Sequence, residues 1–111
     1  MTQTAIERVI AANSIWEMLD GAVQTYGDLV AFENYHNTLT FTDMGRYSDA
    51  LAAYLQAKMG VVKGTKVALM SPNCLAHPVC TMAIHKCGGV QVSVNPMYTP
   101  DELEHQLNDA D

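Results

Sequence analysis

The sequence predicts an α/β fold in which a β-hairpin is followed by a parallel βαβ unit, with helices on the flanks. Three observations carry this expectation. Apolar residues recur at a 3.6-residue period on either side of a short stretch rich in β-branched and aromatic residues. Between residues 66 and 94 a strand pattern, a helix pattern and a second strand pattern follow one another. Glycine or proline punctuates most of the junctions. Strand, helix and strand in that order cross over right-handed and set the two strands parallel.

The first clear element opens at Ser14-Ile15-Trp16-Glu17. A hydroxyl with a glutamate three residues later can satisfy orphan backbone N–H groups reciprocally, so a helix is expected there. Ile15, Leu19, Ala22 and Tyr26 continue it at helical spacing, and Gly27 supplies a stop. From Leu29 to Phe41 the runs V-A-F-E-N-Y and T-L-T-F, divided by His36-Asn37, read as two hairpin strands with Asn37 in the turn. Thr42 and Asp43 then offer a cap for a second helix, which Gly60 ends. Met44, Tyr47, Leu51, Tyr54, Leu55 and Met59 form its expected core face.

Lys66 to Met70 is a short apolar run that breaks at Ser71-Pro72-Asn73, where proline cannot continue a central strand. A helix is expected from about Pro78 to Cys87, closed by Gly88-Gly89, and a strand from Val90 to Val94. Thr99-Pro100-Asp101-Glu102 starts the last helix with a hydroxyl cap, proline at the first helical position and glutamate at the third. Leu103 and Leu107 give it an apolar stripe, and no C-cap signal or further strand follows before Asp111. The expectation is a truncated piece of a larger α/β layer.

The chain of 111 residues suits one small domain with one core. Residues 1–111 are therefore expected to be a single segment, with 1–13 poorly ordered. Six basic residues against twelve acidic ones give a net charge of −6, and the basic residues are scattered, which excludes an electrostatic footprint for nucleic acid or for an anionic membrane surface. No basic stretch precedes an apolar run at the start, so a secretory signal is not visible and the cytosol is the expected compartment. Three cysteines make an odd count without the spacing of a disulfide framework.

Cys74, His77, Cys80, His85 and Cys87 crowd into one stretch, which raises the question of zinc. On a helix, Cys80 and Cys87 stand roughly 10.5 Å apart along the axis, whereas zinc ligands converge to about 2.0–2.3 Å from the ion. A pair of ligands involving His77 would remain incomplete, because no second C-x-x-C or H-x-x-x-H pair exists. Buried thiols and surface or capping histidines are the plainer reading. Cys74 lies before a helix start, a setting that lowers a thiol pKa, but no partner base is fixed by the sequence. Gly88-Gly89 follows a helix instead of opening one and so reads as a C-cap rather than a phosphate cradle. His36, His85 and His105 have no motif around them. Neither G-x-G-x-x-G nor G-x-x-x-x-G-K-[ST] occurs. No catalytic, cofactor-binding or metal-binding residue is assigned.

V-A-L-M-S-P-N (67–73), G-G-V-Q-V-S-V-N-P-M-Y-T-P-D-E-L-E-H-Q-L-N-D (88–109), T-F-T-D-M (40–44) and A-A-Y-L-Q (52–56) together resemble the amino-terminal region of bacterial long-chain fatty-acid CoA ligases, members of the acyl-adenylate-forming superfamily. The resemblance runs from about Trp16 to the end, and departs mostly in the helix that carries the cysteines. It implies the amino-terminal part of the large AMP-binding domain, in an enzyme that joins ATP and a fatty acid into an acyl adenylate and then transfers the acyl group to CoA. It further implies that the longer enzyme uses ATP, Mg2+ and CoA, takes a long-chain fatty acid, and works in the cytoplasm or at the inner face of the inner membrane. The family's phosphate loop, its ribose-binding aspartate and its carboxy-terminal lysine have no counterpart here, so this stretch is expected to be inactive scaffold that packs against the remainder of the enzyme. Unpaired strand edges suggest self-association. Two other readings stay open: a stand-alone interaction module, and a piece of an adenylating enzyme for a different carboxylic acid.

Overall fold

The computed structural model describes Glu7 and residues 11–72 and 74–110. Most of the amino-terminal stretch expected to be poorly ordered, and Asn73 of the S-P-N break, lie outside the described residues. The elements are α1 (Ile15–Tyr26), β1 (Val30–Asn34), β2 (Asn37–Thr40), α2 (Phe41–Lys58), β3 (Lys66–Met70), α3 (Ala76–Lys86), β4 (Val90–Val94) and α4 (Pro100–Ala110). β1 and β2 form an antiparallel hairpin, and β3 and β4 form a separate parallel pair in the register Lys66↔Val90 to Met70↔Val94. The fold is therefore mixed α/β as the alternation of patterns implies, and both strands of the parallel pair match their sequence-predicted bounds.

Helix starts follow from capping. Ser14 Oγ accepts from the Glu17 N–H at 3.0 Å, and the Glu17 carboxylate reaches back to the Asn13 N–H, one residue before the cap. At α4, Thr99 Oγ accepts from the Glu102 N–H at 3.3 Å and its hydroxyl donates to Glu102 Oε1 at 3.1 Å. Helix ends use positive φ where only glycine is unstrained. α3 closes with the Gly89 N–H donating to Ile84 O and the Gly88 N–H to His85 O, while Gly88 takes φ +74°. These two bonds satisfy carbonyls that the helix leaves without partners.

Four boundary and face expectations are corrected. The hairpin turns on Tyr35-His36, at φ 49° and 68°, while Asn37 is already paired with Asn34. A two-residue hairpin loop with both φ positive matches the twist of the strands, and here that geometry overrides the local preference of asparagine for a turn. The cap of α2 is Thr40, whose Oγ accepts from the Asp43 N–H at 3.1 Å, so β2 passes into the helix two residues sooner than a Thr42 cap would allow. α3 begins at Ala76 rather than Pro78, because proline is tolerated in a first turn whose N–H groups have no helical partner. Finally, α2 buries Met44, Gly45, Ser48 and Ala52, leaving Tyr47, Tyr54 and Met59 exposed.

The core forms two linked clusters around the contact of α2 with α3. Leu39, Met44 and Met82 pack with Leu19, Val23, Phe41, Leu75 and Val79, and Ala52, Val61, Ala83 and Cys87 pack with Leu51, Leu55 and Val67. Gly45 lets α1 approach α2, since a Cβ there would stand 2.9 Å from Val23 Cγ1. Ser48, fully buried, donates its hydroxyl to Gly45 O at 2.9 Å and so leaves no unpaired group in the interior. Lys86 runs its stem along this contact, its ammonium donating to Gly45 O at 3.3 Å and pairing with Asp49. α4 leans on β4 through Gln106, whose side-chain N–H donates to Ser93 O at 2.8 Å.

Candidate functional site

A cleft of about 550 Å³ opens where α1, the hairpin, α2 and the start of α3 meet. Its wall is mainly apolar, built from Leu19, Phe32, Phe41, Met44 and Leu75, with Glu33, Asn34, Cys74, His77 and Thr81 as the polar contributors. The capped start of α2 sets Phe41 and Met44 toward it. The loop between β3 and α3 brings Cys74 and Leu75.

Cys74 is the most chemically activated thiol of the three. Its Sγ lies 3.6 Å from Ser71 Oγ in a shared hydrogen bond. That hydroxyl first, and then the backbone N–H groups of Ala76 and His77 at the helix start, draw the Cys74 pKa below the ordinary thiol value against a smaller opposing effect of burial. Cys80 moves the other way: burial raises its pKa, and the neighbouring Cys74 charge raises it further. Burial likewise raises Cys87, whose thiol donates to Ala52 O at 3.4 Å across the α2–α3 contact. All three cysteines are reduced.

The structure thus divides the Cys/His cluster that the sequence crowds together. Cys74 and His77 share the cleft, Cys80 and His85 are half-buried on α3, and Cys87 turns into the core. His36 is exposed on the hairpin loop and His105 is exposed on α4. Among the described residues no three His, Cys, Asp or Glu side chains converge as metal ligands do. The apolar wall was not legible in the sequence as a site, because its residues come from four separate elements and each reads locally as core.

The glycine pair after α3 does not form a phosphate cradle. Its space is filled by protein: a Cβ on Gly88 would stand 3.3 Å from Lys63 Cα, and one on Gly89 would stand 3.2 Å from Thr65 O. The Gly64 N–H donates to Gly88 O at 2.9 Å, so the pair seats the turn before β3 against the end of α3.

Residues 19–111 match the family model described as AMP-binding enzyme. The chain belongs to the AMP-binding enzyme family. The long-chain-fatty-acid–CoA ligase of Escherichia coli O6:H1 is 47% identical over 97 residues, covering 87% of this chain and 17% of the relative. The ligase of the same name from Bacillus subtilis strain 168 is 37% identical over the same shares of each chain. The chain therefore spans 17% of the length of these relatives. Among solved structures, the N-terminal subdomain of Klebsiella oxytoca NpsA superposes with a TM-score of 0.84 at 25% identity, covering 89% of this chain and 26% of that one. The same subdomain in complex with 3-hydroxyanthranilyl-AMSN superposes at 0.85. The hairpin, the parallel strand pair and their helices are thus an arrangement that this chain shares with the N-terminal subdomain of NpsA.

Proposed function

We propose that these residues are framework of a long-chain fatty-acid CoA ligase, an enzyme that makes acyl-CoA from a fatty acid, ATP and CoA through an acyl adenylate. The observation that carries this reading is the 47% identity to a ligase of that name over 87% of the chain, well above the 25% shared with NpsA. In this reading ATP, Mg2+, CoA and the fatty acid are handled by parts of the enzyme that lie outside these residues, in the cytoplasm or against the inner membrane. No helix among the described residues is long and apolar enough to cross a membrane.

The test is a chimera in which these residues replace the matching 97-residue stretch of the Escherichia coli ligase. Because the framework is shared, palmitoyl-CoA formation should persist within about tenfold of the parent, a loss of some 1.4 kcal/mol or less in transition-state stabilisation. A chimera that folds yet makes no palmitoyl-CoA would refute the reading, and one that had moved to aromatic or short acids would favour a different adenylating enzyme.

A second feature of the proposal is self-association of the chain by itself. β3 and β4 pair only with each other among the described residues, and Met70 in β3 and Val90 in β4 are exposed. Open strand edges next to apolar side chains favour pairing with another copy. Sedimentation should show a dimer or larger species, and a monomer at high concentration would remove this part of the proposal.

A further inference from the structure

We draw no further inference here: the strongest candidate, the Cys74 thiol in the apolar cleft between the hairpin and the start of α3, is a single cysteine at a helix N-terminus, and nothing else in the structure points to a ligand for it.

Discussion

The inner helices, α2 and α3, bury residues outright, whereas the outer helices, α1 and α4, bury none. Yet the outer pair carries the cleaner helix signals: a side-chain cap with a glutamate three residues on, and apolar residues gathered on one side. The difference teaches what each signal reports. A cap and a one-sided apolar stripe describe a helix resting on a surface, where its own termini must be satisfied and only one face meets protein. Helices that press closely on one another need small side chains at the contact, and Ser48, Ala52 and Ala83 look unremarkable on any hydrophobic scale. The α2 ridge Met44, Ser48, Ala52 runs at i, i+4 and i+8, one residue from the Tyr47–Leu51 line that periodicity favours. On a helix with 3.6 residues per turn, one residue is a rotation of about 100°.

Truncating one side chain on an inner helix and one on an outer helix tests this contrast. Met82 on α3 is fully buried in the cluster with Leu39 and Met44, so Met82→Ala should cost about 3 kcal/mol in urea unfolding, from lost transfer energy and the cavity left behind. Leu107 on α4 is 42% exposed, and Leu107→Ala should cost less than about 1 kcal/mol. Equal losses at the two positions would mean that α4 is as much part of the core as α3.

A smaller effect, read as a rate, separates the thiols along the same boundary. At neutral pH iodoacetamide should modify Cys74 first, Cys80 more slowly and Cys87 last, as mapped by peptide mass, because alkylation follows the thiolate fraction and access. The pH dependence has a definite sign. The Cys74 rate should level off at a lower pH than that of a free thiol, while the rates of Cys80 and Cys87 should still be climbing there. Cys80 keeping pace with Cys74 across the range would contradict the opposite shifts of the two groups.

The order of elements and the parallel strand pair were legible because their signals are local: alternation and apolar runs for strands, hydroxyl caps for helix starts, glycine for helix ends. β3 and β4 match to the residue, since Pro72 and Gly89 leave no room for extension. The hairpin turn falls one residue earlier than His36-Asn37 because Tyr35 and His36 adopt positive φ, with Asn34 paired to Asn37 across them. The face expected of α2 is right at Met44, Leu51 and Leu55 and wrong at Tyr47, Tyr54 and Met59, because burial there depends on α3, some thirty residues further along the chain. For the cleft, the sequence offered Cys74 and its helix-start setting, but not the apolar wall, which exists only once four elements have met.

The most direct test of the framework reading uses the purified 111-residue chain with ATP, magnesium, CoA and palmitate. Neither acyl adenylate nor palmitoyl-CoA should form, and equilibrium dialysis should find no retained nucleotide, because in the proposed reading the groups that handle ATP lie in other parts of the enzyme. Sustained palmitoyl-CoA production, or stoichiometric retention of ATP, would contradict the account.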